Sequence, residues 1–166
     1  MKKKVFHLLA SKKAVVGIVG AGYVGLPLAQ LISKKFSIIL YDHDEKKIRK
    51  IKTSQNKFFR KKDKTIITYD IKMLRKANFI IICLPTPLKS KREPDLSHIH
   101  AFFRKKNYFI SPNQTIILES TSYPGTSEEI IKKYFSSKKY KFGENIFFGY
   151  SPERVDPGRN INLNKI

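Results

Sequence analysis

Three glycines and one aspartate near the start of the chain have the types and spacing needed to bind a dinucleotide. Gly20, Gly22 and Gly25 form a Gly-x-Gly-x-x-Gly pattern. In this pattern the first glycine permits a tight turn, the second lets the backbone approach a pyrophosphate, and the third lets a helix pack against a strand. Asp42 comes 22 residues after Gly20, close to the ~20 residues expected for the carboxylate that binds a ribose diol.

The segments around these residues favour a dinucleotide site over a purely structural glycine turn, which the glycine spacing alone would also fit. The apolar, β-branched run 15–19 predicts a buried strand, and a helix is expected to begin near Tyr23 and to offer its free N–H groups to phosphates. A second strand then ends at Asp42, and Asp44 and Glu45 are interpreted as the N-cap and first turn of another helix. Because no arginine directly follows Asp42 and a carboxylate repels a 2′-phosphate, the pattern predicts NAD rather than NADP.

The remaining sequence continues the alternation of strands and helices. This order predicts an α/β fold, a Rossmann-like doubly wound parallel sheet in a single domain. A capping box in which Thr126 is the N-cap and Glu129 its partner is expected to open one helix. The other predicted helices are 44–51, 71–76 and 96–109, the other strands are 65–68, 79–84, 114–118 and 145–149, and 56–63 and 89–95 are predicted loops.

Length and composition limit the class of protein. The chain has 166 residues, of which 41% are hydrophobic, as expected for one globular domain. No apolar run approaches the ~20 residues needed to cross a bilayer. We interpret residues 1–13 as a basic leader rather than a signal peptide and predict a cytoplasmic protein without membrane partners. A single cysteine excludes an internal disulfide.

The net charge of +21, from 34 Lys and Arg against 13 Asp and Glu, raises the question of nucleic-acid binding. The lysines are scattered along the chain in pairs such as Lys46-Lys47 and Lys132-Lys133. The sequence contains neither a concentrated basic arm nor a recognisable nucleic-acid motif. We therefore favour a general lysine bias over a nucleic-acid partner.

Three segments that follow predicted strands have unusual compositions. They are Pro85-Thr86-Pro87, the run ESTSYPGT from Glu119, and the run SPERVDPG from Ser151. Ligands of open α/β sheets bind beyond the carboxyl ends of the strands. These segments are therefore expected to contribute to the site.

Together with GAGYVGLP and KREPDLSHI, these motifs resemble the amino-terminal NAD-binding domain of the nucleotide-sugar 6-dehydrogenases of the UDP-glucose/GDP-mannose type. Enzymes of this family oxidise UDP-sugars to UDP-uronates with NAD. The resemblance extends from about residue 14 to residue 160, and REPDLS, ESTSYPGT and SPERVDPG are most similar to the UDP-N-acetylglucosamine 6-dehydrogenase branch. It implies an oxidoreductase of surface polysaccharide biosynthesis with a UDP-sugar as substrate.

Carried over position by position, the resemblance implies roles for individual residues. Glu153 would lie near the reacting C6 and activate water, Thr121 would be a second catalytic candidate, and Arg154 would join Glu153 at the substrate. Other interpretations stay open: Lys47 as a solvated helix lysine, Thr86 and Thr121 as turn residues, and Glu153 as the ion-pair partner of Arg154. The implied cofactor-binding residues are Gly20, Gly22, Tyr23, Val24, Gly25, Asp42, Lys47, Thr86 and Thr121.

The family's nucleophilic cysteine has no counterpart in this sequence. Cys83 is interpreted as a small buried hydrophobe in an apolar strand, and the four histidines lack the spacing of a metal site. We expect an NAD-binding domain over 14–160, a truncated end at 161–166, a sheet without its last strand, and no substrate-binding domain. Such a chain is predicted to be inactive alone. The alternatives are pairing with a separately encoded carboxyl-terminal half, or a non-catalytic basic module that binds nucleic acid or a protein.

Overall fold

The structure, a computed structural model, describes residues 7–59, 64–89, 93–137 and 139–152. Residues 7–10 form a helical turn ahead of the first strand. Among the described residues, no helix is both long enough and apolar enough to span a bilayer.

Six parallel strands form one sheet in the order β3-β2-β1-β4-β5-β6, which confirms the predicted doubly wound fold. The chain reaches one edge at β3 and returns to place β4 beside β1, so the direction of winding changes between β1 and β4. In register, Val19 at the end of β1 lies between Tyr41 and Ile82. The strands are β1 Val15–Val19, β2 Ser37–Tyr41, β3 Thr65–Thr68, β4 Phe79–Ile82, β5 Gln114–Leu118 and β6 Ile146–Tyr150.

Helices cover both faces of this sheet. Buried residues of the first helices, such as Ala29 and Ile48, pack on one face, whereas Ile99, Phe103 and Ile130 pack on the other. Burial on both faces explains why the inner strands are almost continuously apolar. The helices are α1 Gly25–Ser33, α2 Glu45–Thr53, α3 Gln55–Phe58, a 3₁₀ helix Ile71–Lys76, α4 Ser97–Arg104, α5 Lys106–Phe109 and α6 Thr126–Phe135.

Gln114 connects the start of β5 to the 3₁₀ helix. Its side chain is buried, and its amide nitrogen donates to the carbonyl oxygens of Leu74 and Ala77 at 3.0 and 2.9 Å. Its amide oxygen accepts from the Ser111 N–H at 2.7 Å. One side chain therefore satisfies three backbone groups from two segments, which fixes the start of β5 and the loop that precedes it against the 3₁₀ helix.

The predicted helix 96–109 is divided in two. Lys105 has φ −91° and ψ 9°, and its N–H bonds to the Phe102 carbonyl in a 3₁₀-type contact, so α4 ends and α5 begins. The change of direction lets the ring of Phe109 stack on Phe102, with centroids 4.4 Å apart. Packing of these two rings in the core offsets the loss of helical hydrogen bonds at the break.

Other boundaries also differ from the prediction: the helix predicted at 44–51 is Glu45–Thr53, and the strand predicted at 145–149 is Ile146–Tyr150. Residues 56–58 of the predicted loop 56–63 belong to the helix Gln55–Phe58, while 60–63 lie outside the described residues. The strand predicted at 79–84 ends at Ile82, and the helix expected from Tyr23 begins at Gly25. The predicted lack of a last strand concerns residues after 160, which also lie outside the described part of the chain.

The predicted capping box at Thr126 is wrong. The N-cap is Gly125, with φ +90°, and Thr126 is the first helical residue. The Thr126 hydroxyl donates to the Tyr123 carbonyl, and the Glu129 carboxylate accepts from the Tyr123 hydroxyl. Because glycine adopts a positive φ at little cost, the turn closes one residue earlier than the Thr-Glu spacing indicated.

Candidate cofactor site

A cavity of about 530 Å³ opens beyond the carboxyl ends of β1, β2, β4 and β5. Eight of the nine residues predicted to bind the cofactor line it. Gly25 lies beneath the glycine turn, and Glu153 and Arg154 are outside the described residues. The eight are Gly20, Gly22, Tyr23, Val24, Asp42, Lys47, Thr86 and Thr121.

The three glycines meet three different spatial demands. Gly20 has φ +98°, and a Cβ there would lie 2.6 Å from the Cys83 carbonyl oxygen. A Cβ on Gly25 would collide with the Gly20 carbonyl oxygen. A Cβ on Gly22 would meet no atom within 4 Å, and Gly22 lines the cavity. The first and third glycines are thus required for the fold, whereas the second leaves space open to a ligand.

Backbone donors face the same space at the start of α1. Within the described residues, the N–H groups of Gly22, Tyr23 and Val24 donate to no other group. They precede a nine-residue helix whose first turn contains no acidic side chain. Free N–H groups and the positive end of the helix dipole together favour an anion such as a diphosphate.

Asp42 is nearly enclosed, with 4% of its surface exposed. Its Oδ2 accepts from the Ala21 N–H and the Lys47 ammonium, both at 2.9 Å, and its Oδ1 accepts from the Asp44 N–H at 3.0 Å. Burial alone would raise the pKa of Asp42. This effect is outweighed by three donors, which hold the pKa below its ordinary value of 3.8: the Asp44 N–H, the Lys47 ammonium and the Ala21 N–H. The carboxylate is therefore ionised at neutral pH.

Lys47 is more than a solvated helix lysine, because its ammonium pairs with Asp42 and its side chain lines the cavity. The helix α2 positions it: the Asp44 carboxylate caps this helix by accepting from the Lys47 N–H at 3.0 Å, as predicted. One turn of helix thus connects the end of β2 to the lysine that faces Asp42.

The opposite end of the cavity is formed by the loops after β4 and β5, which contribute Thr86 and Thr121. The buried hydroxyl of Ser120 donates to the Leu84 carbonyl at 2.6 Å and so joins the two loops. Glu119, the first residue of the ESTSYPGT segment that was expected at the site, also lines the cavity.

Cys83 is not the fully buried hydrophobe that the sequence predicted. It is half-buried, lines the cavity and has its thiol 3.9 Å from Glu119 Oε2. The reason is that β4 ends at Ile82, two residues earlier than predicted, so Cys83 belongs to the loop beneath the glycine turn.

One wall of the cavity was missed at the sequence level. It comprises His98, Ala101 and Phe102 on α4 and Lys105 at the C-cap of that helix, which have the i, i+3, i+4, i+7 spacing of one helical face. The Phe102 ring lies 6.4 Å from that of Tyr41, the residue before Asp42, so this wall belongs to the Asp42 end. This spacing could have indicated the wall from the sequence. The overlapping apolar face of Ile99, Phe102 and Phe103 was instead interpreted as the only functional face of the helix, its core face.

Comparisons with known proteins agree with this geometry. The model of the UDP-glucose/GDP-mannose dehydrogenase family, NAD binding domain, matches residues 14–163. Protein CapL of Staphylococcus aureus is 34% identical over 158 residues, a match that covers 88% of this chain and 36% of CapL. The UDP-N-acetyl-D-glucosamine 6-dehydrogenase of Pseudomonas aeruginosa is 30% identical over 158 residues, covering 89% of this chain and 37% of that enzyme.

Solved structures show the same arrangement. The UDP-D-ManNAc dehydrogenase of Pyrococcus horikoshii superposes with a TM-score of 0.77 at 28% identity, covering 87% of this chain and 37% of that one. The GDP-mannose dehydrogenase of Pseudomonas aeruginosa, solved as a ternary complex, gives 0.75 at 25% identity, covering 85% and 36%. This chain spans little more than a third of the length of these relatives. It belongs to the UDP-glucose/GDP-mannose dehydrogenase family and corresponds to the NAD-binding domain of that family.

Proposed function

We propose that the chain supplies the NAD site of a dehydrogenase that oxidises the C6 alcohol of a UDP-N-acetyl-hexosamine to a uronate. The observation that carries this proposal is one cavity in which the glycine turn, Asp42 and the strand-end threonines meet. The names of the relatives, UDP-N-acetyl-D-glucosamine and UDP-N-acetyl-D-mannosamine dehydrogenases, support the class of sugar.

Asp42 is suited to hold the adenosine ribose of the cofactor. A carboxylate has about four acceptor positions, and three donors occupy Asp42 in the described structure, one of them on Oδ1. The exposed imidazole Nδ1 of His43 lies 3.4 Å from Oδ1, and a ribose hydroxyl that displaces this contact can donate to the remaining position on Oδ1. Lys47 keeps the carboxylate charged and oriented for this contact.

The other parts of the cavity suit the rest of the dinucleotide. The free N–H groups of Gly22, Tyr23 and Val24 would bind the diphosphate. The hydroxyls of Thr86 and Thr121 would lie at the nicotinamide end, where Thr121 is also a catalytic candidate. When bound, NAD accepts the hydride that leaves C6.

Catalysis needs groups beyond this cavity. The proposed role of Glu153 is to activate the water that hydrolyses a covalent intermediate, with Arg154 beside it at the substrate. The family's nucleophilic cysteine has no match in this sequence. Cys83 lies below the glycine turn, where its side chain would contact a Cβ added at Gly25. We therefore propose that the chain binds NAD but needs a second domain, in the same or a separate polypeptide, for turnover.

The first test is thermal unfolding of the purified chain with and without NAD. A ligand that binds only the folded state raises Tm. NAD should therefore raise Tm in the wild type and in Asp70→Ala, which replaces an exposed aspartate that caps the 3₁₀ helix after β3. Asp42→Ala should lose the rise. An equal rise in Asp42→Ala, or none in the wild type, would contradict the proposal, and salt-sensitive DNA binding without an NAD effect would favour a basic binding module.

The second prediction concerns activity. The purified chain, mixed with NAD and UDP-N-acetylglucosamine, should produce no NADH above the background without sugar, because the sequence lacks the family's nucleophile. NADH absorbance followed over hours is the measurement. Sugar-dependent NADH production by the chain alone would show that it needs no second domain.

A further inference from the structure

A second cavity lies against a different side of α4 from the one that faces the cofactor cavity. It has a volume of about 390 Å³ and is formed by α4, α6, the loop that follows β4, and Tyr123. From α4 it takes Ser97, His100 and Arg104, which have the i, i+3, i+7 spacing of one helical side. We call this second cavity the α4–α6 groove. The helix α4 therefore separates two cavities and lines both of them.

Two basic side chains, Arg104 and Lys133, line one end of the α4–α6 groove. The helices α4 and α6 follow neighbouring parallel strands, and His100 Nε2 lies 3.5 Å from Glu129 Oε1 across the space between them. Arg104 and Lys133 come four residues after this pair, each on its own helix. Within the described residues, neither forms an ion pair at 4 Å or less. An anion bound between these two cations would be stabilised by both.

His100, in the middle of the α4–α6 groove, lies in the field of these cations. Its pKa is lowered, first by burial and then by the charge of Lys133. Arg104 and Lys89 add to this effect, and Glu129 opposes it. The potential around His100 is therefore positive, as a binding site for an anion requires.

The other end of the α4–α6 groove has carboxylates and an aromatic ring. Glu93 and Asp95 line it together with Tyr123. Asp95 Oδ1 lies 3.5 Å from the Lys89 ammonium, so the charge of this lysine is compensated at this end. The Tyr123 hydroxyl donates to Glu129 at 2.6 Å, which orients a ring that is 41% exposed. Carboxylate oxygens accept from the hydroxyls of a sugar, and an aromatic ring packs against its apolar face.

The dimensions of the α4–α6 groove limit the size of its ligand. Arg104 comes seven residues after Ser97 on α4, a rise of about 10 Å. The volume of about 390 Å³ is in the range of small-molecule sites and is smaller than the cofactor cavity of about 530 Å³. A hexose monophosphate has this length, with an anion at one end and hydroxyls at the other. An inorganic phosphate would occupy only the basic end.

We propose that the α4–α6 groove is a second ligand site, which binds a sugar phosphate independently of the cofactor. Arg104 and Lys133 bind the phosphate. Glu93 and Asp95 accept from the sugar hydroxyls, and the Tyr123 ring packs against the sugar. The groove shares no lining residue with the cofactor cavity, so this site does not depend on the proposed function.

The test is a titration of the purified chain with glucose 6-phosphate, followed by NMR of the histidine rings. His100 lines the α4–α6 groove, whereas His43 and His98 line the cofactor cavity, and replacing each by glutamine identifies its signal. Glucose 6-phosphate should shift the His100 signal and raise the pKa of His100, because a bound anion favours the imidazolium. The signals of His43 and His98 should stay in place. NAD should shift His43 and His98 and leave His100 unchanged.

Substitutions at the basic end provide a second measurement in the same titration. Arg104→Gln and Lys133→Gln should each weaken the binding of glucose 6-phosphate about tenfold or more, since each removes a charge-assisted hydrogen bond to the phosphate. The matched control is Lys132→Gln, which removes an exposed charge on α6 outside the groove. It should change the affinity little.

Three results would overturn the inference. The first is a His100 signal that does not respond to glucose 6-phosphate. The second is an equal loss of affinity in Lys132→Gln and Lys133→Gln, which would indicate a response to net charge alone. The third is inorganic phosphate binding as tightly as glucose 6-phosphate, which would leave the acidic end without a role. Failure of NAD to shift His43 and His98 contradicts the proposed function instead, so the two failures can be told apart.

Discussion

At the scale of single residues, Asp42 shows how the protein keeps a buried carboxylate charged. Burial alone would favour the protonated form, but two backbone N–H groups and one ammonium stabilise the anion. The same contacts join the glycine turn, the end of β2 and α2. The residue therefore contributes to stability as well as to the proposed cofactor contact.

This gives a pH prediction. The pKa of Asp42 is lowered in the folded protein, so its contribution to stability is fully present above the unfolded pKa and is lost as pH falls through the folded pKa. The free energy of unfolding of the wild type should exceed that of Asp42→Asn at pH 6. The difference should shrink between about pH 5 and pH 2. Urea titrations across this range provide the measurement, and a constant difference would contradict the assignment.

The glycine turn gives a second prediction at this scale. Gly22→Ala should leave Tm within about 2 °C of the wild type, because a Cβ there meets nothing. It should weaken NAD binding about tenfold or more, since the methyl group enters the space proposed for the diphosphate. Gly25→Ala should instead lower Tm strongly because of the collision with the Gly20 carbonyl. Unchanged NAD affinity in Gly22→Ala would place the diphosphate elsewhere.

At the scale of elements, the strands could be predicted because burial on both faces leaves an apolar run with few alternatives. Helix ends were harder. The Thr126-Glu129 spacing fits a capping box, yet Gly125 takes the N-cap position through a positive φ that composition alone does not reveal. The break at Lys105 depends on the stacking of Phe102 and Phe109, a contact that exists only after the chain has folded.

The residues of the site, like the elements, could be predicted only in part. Its glycines and Asp42 follow from local geometry, whereas Thr86 and Thr121 depended on the resemblance to a family. The wall formed by His98, Ala101 and Lys105 depends on which side of α4 turns toward β2, and this is settled by tertiary packing.

The prediction at the scale of elements concerns the stabilising role of Gln114. Gln114→Ala removes the partners of two carbonyls and one N–H in a buried position, so the free energy of unfolding should fall by about 2 to 4 kcal/mol. Gln30→Ala loses one bond of 3.2 Å at a half-buried position and should cost about 1 kcal/mol or less. Urea denaturation of both variants tests the difference, and equal losses would contradict the role given to Gln114.

At the scale of the whole molecule, the net charge of +21 is not concentrated at the cofactor cavity. Among the described residues, two lysines line the cavity, Lys47 and Lys105, and the ammonium of Lys47 is already paired with Asp42. The surplus therefore acts mainly as a long-range positive field, which attracts a diphosphate and is screened by salt. We therefore expect the rate at which NAD associates to fall as the salt concentration rises.

Cys83 is the only cysteine in the chain, and it lines the cavity assigned to the cofactor. A thiol reagent therefore has one attachment point, and a dinucleotide bound in the proposed position would cover it. The rate at which the thiol is labelled becomes a direct optical reporter of occupancy.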